Sequence, residues 1–171
     1  MDNPPHGDYI SRWKAPDRGK YKVNCDVAIS AKEKEGIVAA VLRDWEGNIV
    51  DGRAKPVKVF SSLHGELSAI REACVMLKAL DVKEAEIESD NKQAISLSVS
   101  ELVPPWEVLA VVLDIRDMAR SGGHSFGWIR RQANGVAHHV AALTKRRDLP
   151  PSWIASPPFS LFTHLCNDVS L

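Results

Sequence analysis

Several familiar commitments are missing from this 171-residue chain. No apolar run approaches the ~20 residues needed to span a bilayer, which excludes a helical membrane anchor within it. Only three cysteines occur, Cys25, Cys74 and Cys166, and none forms a CxxC pair. An odd number of scattered thiols without a recognisable signal peptide argues against a disulfide scaffold and against secretion. An intracellular, reducing setting is expected, with nuclear and cytoplasmic residence left open. Net charge is also lacking: 22 basic and 22 acidic side chains cancel. No global basic field therefore announces a polyanion, and a nucleic-acid partner would have to be held by a local patch or through metal. Internal repeats and low-complexity segments are absent too.

What remains is a soluble-type composition, 44% apolar and 26% charged, with enough chain for one domain and a sizeable core. The stretch "YKVNCDVAIS", residues 21–30, alternates as a strand. Tyr21, Val23, Cys25, Val27 and Ile29 fall on one face, and Lys22, Asn24, Asp26 and Ala28 on the other. "GIVAAVLR" reads as a buried second strand, "DWEGN" as a turn, and "NIVDGRAKPV" as a third strand. Gly52 and Pro56 place that third strand at a sheet edge. From Ser61 the period changes. Leu63, Leu67, Ile70, Cys74 and Leu77 share one helical face, with Ser61 or Ser62 as cap.

A short strand "EAEIES" follows, then helices over "NKQAISLSVSEL" and "WEVLAVVLDIRDMAR", a strand "HSFGWIR", and a last helix "GVAHHVAALTKRR" capped by Asn134. Trp106 and Trp128 fall in apolar patterns and are expected in the core. The order βββαβααβα predicts an α/β fold with a five-stranded mixed sheet, its first three strands antiparallel and helices on its faces. Residues 1–12 read as a flexible arm, 13–148 as the domain, and 149–171, with four prolines, as an extended tail packed on it.

A carboxylate in the middle of a strand needs a reason. Asp26 either faces water or belongs to a site. Glu66, early in the long helix, either favours the helix dipole or reaches into that site. Asp90, where the fourth strand stops, either caps the next helix or completes it. In mixed sheets, sites open at strand ends. Three carboxylates gathered there would repel, each pair at ~4 Å costing about 4 kcal/mol at an effective dielectric near 20. A hard divalent ion relieves this, and carboxylate oxygen suits magnesium or manganese.

The pieces "WKAPDRGKYKVNCD", "GIVAAVLRDWEGNIV", "HGELSAIREA", "IESDNKQAI" and "WIRRQANGVAHHVAAL", with the late Trp, Pro-Pro, Leu and Asp of the tail, occur here in that order. Together they resemble the RNase H fold and, within it, the RNase H-like domain of plant non-LTR retroelement reverse transcriptases. The resemblance implies four metal ligands: Asp26, Glu66, Asp90 and, where the family normally has Asp, His138. It implies a two-ion magnesium or manganese site that cleaves the RNA strand of RNA–DNA hybrids. The implied partner is nucleic acid, a hybrid or RNA, with no membrane. Candidate nucleic-acid contacts are Asn24, Ser62, Asn91, Lys92, Arg130 and Arg131.

This chain departs from the family pattern at four points. His138 offers nitrogen instead of carboxylate oxygen, and by helical angle lies opposite the Val136, Val140 and Leu143 stripe. Val27 replaces the Gly that commonly follows the first Asp. "SSLHG" replaces the small amides before the helix Glu, and no histidine occupies the short loop after the last strand. These departures sustain an alternative: a catalytically weak or inactive domesticated domain that binds nucleic acid or protein.

Overall fold

The computed structural model describes residues 12–30, 32 and 34–169. Its strands are β1 (Lys22–Ile29), β2 (Glu35–Arg43), β3 (Ile49–Lys58), β4 (Glu86–Ser89) and β5 (Ser125–Trp128). They form one sheet in the order β3-β2-β1-β4-β5. The first three are an antiparallel meander; β4 runs parallel to β1, and β5 parallel to β4. The tight turn before β3 is held by Asp44 Oδ1, which accepts from the backbone N–H groups of Glu46 and Asn48. Gly47 supplies its positive φ of 85°. Pro56 lies in β3, the outer strand, where a missing donor is tolerated. The mixed α/β expectation holds, edge strand included.

Helices cover both faces. α1 (Ser62–Ala79), α2 (Lys92–Val99) and α3 (Leu109–Gly122) follow in chain order, then α4 (Gly135–Lys145) and α5 (Phe159–Val169). Single 3-10 turns precede α3 at Trp106–Val108 and α4 at Arg131–Asn134. Val23, Cys25, Val38, Ala40 and Leu42 build the larger core with Leu67, Ile70 and Leu77 of α1 and Ile115 of α3. Ala39 and Val41 build the smaller one with Val136, Val140, Trp153 and Leu161. β1 is thus buried on both faces at Asp26, not only on its apolar side. Ser61 caps α1, its side chain accepting from His64 N–H at 3.0 Å. Gly65, one turn in, lets that helix press on the sheet. A Cβ there would lie 3.2 Å from Ile29 Cδ1 and 3.3 Å from Val27 Cγ2.

The tail differs from its expected extended form. Its last eleven described residues make α5. Pro158 starts this helix, its carbonyl accepting from the N–H groups of Leu161 and Phe162. A proline at a helix start loses no intrahelical bond. Leu161 and Leu165, four apart, face the smaller core. The expected N-terminal arm lies outside the described residues except for Arg12. Trp13, at the start of the domain, is buried and covers the Arg43 guanidinium at 3.6 Å from its ring centre. Among the described residues, no helix is long and apolar enough to cross a membrane.

Candidate metal centre

Parallel pairing of β1 with β4 places Asn24 beside Glu88. Continuing that register by two residues aligns Asp26 with Asp90, which follows the last residue of β4. Gly65 brings the N-terminal part of α1 close to the same part of β1, and Glu66 comes next. Three elements from distant parts of the chain therefore converge. One carboxylate oxygen from each of Asp26, Glu66 and Asp90 lies within 4.8 Å of the other two.

The electrostatics of the cluster are one-sided. Asp26 is 4% exposed. Burial raises its pKa first and the charge of Asp90 raises it further, against a smaller lowering by His138. Burial, then Asp26 and Asp90, push Glu66 up to about 8, with Arg131 opposing. Burial also raises Asp90, partly offset by Arg131 and His138. Glu66 Oε2 is buried and has no hydrogen-bond partner among the described residues. An unpaired buried carboxylate oxygen is costly. A hard divalent cation fits this donor set, since it needs oxygens and removes the repulsion at once.

The asparagine next door removes the competing role for Asp90. Asn91 caps α2, its side chain accepting from Ala94 N–H at 2.8 Å, so Asp90 is free to face the site. His138 meets the cluster from α4: its Nδ1 donates to Asp26 Oδ2 at 2.9 Å, while the side chain stays 48% exposed. It joins through Asp26 and stands outside the mutual 4.8 Å set. It lies at the surface, as its helical angle predicts, and is bonded to Asp26.

The candidate nucleic-acid contacts divide. Lys92, Arg130 and Arg131 are exposed, and Ser62 is the exposed first residue of α1. Asn24 is fully enclosed. Its Oδ1 accepts from Trp13 Nε1 and Arg43 Nη2, and its Nδ2 donates to Glu88 and Asn134. Its role as an outward contact is therefore corrected: every polar atom of its side chain is already used inside. Asn91 likewise spends its side-chain oxygen on the cap. Asn134 holds the expected N-cap position of α4, but its side chain makes no capping bond. It donates to the Cys25 carbonyl at 3.0 Å and ties the start of α4 to β1, beside Asp26.

The two tryptophans expected in the core are not there. Trp106 is 82% exposed, and Trp128 43%. Trp128 Nε1 donates to the Asp90 carbonyl at 3.0 Å, and Lys92 Nζ lies 5.5 Å from its ring centre. An apolar pattern in a four-residue edge strand does not say which side is covered. The available signal was position: Trp128 ends its strand two and three residues before Arg130 and Arg131.

A family model described as reverse transcriptase-like matches residues 24–144. No curated protein matches the sequence. Solved structures share the fold at low identity. The ribonuclease H1 of the halophilic archaeon Halobacterium salinarum has a TM-score of 0.68 at 16% identity, over 75% of this chain and 99% of that one. An N-terminal RNase H domain from Mycobacterium tuberculosis has a TM-score of 0.65 at 14% identity, covering 75% of this chain and 95% of that one. LC11-RNase H1, solved in complex with an RNA/DNA hybrid, has a TM-score of 0.62 at 15% identity, covering 72% and 94% respectively.

Proposed function

The chain belongs to the reverse transcriptase-like family, and on that premise we propose that it is a metal-dependent endonuclease cleaving the RNA strand of RNA–DNA hybrids. The observation that carries this is the convergence of Asp26, Glu66 and Asp90, with one oxygen of each within 4.8 Å of the others. The RNase H-like fold shared with the solved structures supports a nuclease, and the hybrid held by LC11-RNase H1 suggests the substrate class.

Asp26, Glu66 and Asp90 would hold magnesium or manganese, and His138 would complete the shell of a second ion with imidazole nitrogen. Such a pair supplies charge neutralisation for an in-line displacement at phosphorus and an acidified attacking water. The protein's own contribution is to keep three acidic groups crowded and short of counter-charge, so that they accept cations from outside. Burial does this for Asp26 and Glu66. Arg131, whose charge is felt at Glu66 and Asp90, would meet a substrate phosphate beside them.

Incubating the protein with a labelled hybrid in magnesium and in manganese tests the reading. Cleavage is expected in at least one metal and is expected to vanish in Asp26→Asn and Glu66→Gln. Cleavage that survives both substitutions belongs to another site or protein.

One observation favours a second reading, a weakly catalytic domain that binds nucleic acid. His138 stands at the position of the family's fourth carboxylate and spends Nδ1 on Asp26. His138→Asp separates the two readings. A marked gain of magnesium-dependent cleavage identifies a nuclease limited at this ligand; hybrid binding with no gain identifies the binding domain.

A further inference from the structure

β5 is the other outer strand of the sheet, at the edge away from β3, and Trp128 is its last residue. It lies opposite Ser89, the residue before Asp90. Its indole N–H is bound to the Asp90 carbonyl at 3.0 Å, which fixes the ring to the backbone of a candidate metal ligand. Yet 43% of the residue is exposed. Trp13 and Trp153, by contrast, are buried. Lys92 Nζ sits 5.5 Å from the Trp128 ring centre, within cation–π range. The charge of Arg131 reaches Glu66 and Asp90 from the same neighbourhood.

A pinned, half-open aromatic ring with Lys92 against it and Arg131 three residues further along the chain has a recognisable partner chemistry. Bases and sugars stack on such a ring, and the phosphates linking them pair with the cations. Because the indole is already held by Asp90, ordering it on contact costs little. We propose that Trp128, with Lys92 and Arg131, is the surface on which a nucleic-acid strand stacks as it passes the metal centre. The proposal rests on the nuclease reading for its substrate class. It goes further in assigning affinity to a residue outside the metal set.

The test is binding of a short fluorescent RNA–DNA hybrid in EDTA, read by anisotropy, with manganese affinity measured separately by electron paramagnetic resonance. Trp128→Leu should weaken hybrid binding about tenfold, the scale of one lost stacking partner. Trp128→Phe, which keeps a ring but loses the N–H, should stay within about threefold of wild type. Lys92→Ala should lower the salt dependence of binding by about one phosphate contact. Adding hybrid should quench tryptophan fluorescence in the wild type and less so in Trp128→Phe, a readout that survives if Trp128→Leu fails to fold.

Unchanged hybrid affinity in folded Trp128→Leu overturns the proposal and leaves the metal centre intact. A loss in Trp128→Phe equal to that in Trp128→Leu also overturns it, since the indole would then act only by holding the Asp90 turn. A wild-type protein that binds neither manganese nor hybrid fails earlier, at the nuclease reading itself.

Discussion

β1 carries two groups of buried polar side chains, and they are neutralised differently. Towards its start, Lys22 Nζ lies 3.3 Å from Glu88 and 3.6 Å from Glu86. Nearby, Arg43 pairs with Asp168 of α5 at 2.7 Å, and Asn24 links Trp13, Arg43, Glu88 and Asn134. Here the chain answers its own acids with its own bases. Two residues further along β1 and β4, Asp26 and Asp90 meet Glu66. Among the described residues, the half-exposed His138 and the charge of Arg131 oppose them. The same two strands thus hold a closed electrostatic network and an open one. Closed networks fix structure; the open one is where an external cation gains most.

The open cluster gives the largest expected effect. Asp26→Asn or Glu66→Gln should lower hybrid cleavage to background, a loss of at least about 10³-fold or roughly 4 kcal/mol of transition-state stabilisation, and should abolish manganese binding measured by calorimetry. Above pH 8, where Glu66 has lost its proton, the metal-free variants should melt no lower than wild type, because each removes a crowded charge. A clear loss of stability would mean that the acids are structural, and the contrast with the closed network would fail.

The closed network should respond in the opposite sense. Lys22→Met strips Glu88 of its buried cation and should cost about 3 kcal/mol in urea unfolding. Adding Glu88→Gln should restore part of it.

A pH series on metal-free protein sharpens the comparison further. Unfolded Glu66 releases its proton near its ordinary value of 4.5, whereas folded Glu66 keeps it until about pH 8. Between those values the folded state binds more protons, so raising the pH favours unfolding. The melting temperature should therefore fall from about pH 5 to pH 8 and level off above. Glu66→Gln should flatten the curve, and saturating manganese should reverse the loss. A wild-type curve as flat as that of the variant would remove the crowding argument.

The smallest effect expected is at Gly65. Gly65→Ala brings a methyl within 3.2 Å of Ile29 and Val59, moves α1 off the sheet, and should cost about 1 kcal/mol of stability. A matching drop in manganese affinity would show that this close approach sets the position of Glu66.

Much of this architecture was legible. Alternation from Tyr21 to Ile29, the helical spacing from Leu63 to Leu77, and Pro56 in an edge strand all follow from local sterics and side-chain period. Asp26 stood out as a carboxylate inside a strand; Glu66 and Asp90 each had a local alternative, helix dipole or cap, and the resemblance joined them to Asp26. Other residues misled for reasons equally physical. The four prolines of the tail suggested extension, but the last of them starts α5. Asn24, Asn91 and Asn134 are amides of one kind with three different partners. Trp106 and Trp128 lie in apolar patterns, and only neighbouring elements decide whether such a face is covered.

The order and type of the elements, and the short list of acids, were written in the chain, because backbone period, proline and capping chemistry act over a few residues. Which charges find partners was decided only when β1, β4, α1 and α4 packed together. Electrostatic energy depends on distances between residues far apart in sequence. Lys22 beside Glu88, and Asp26 and Asp90 beside Glu66, are facts of folded space.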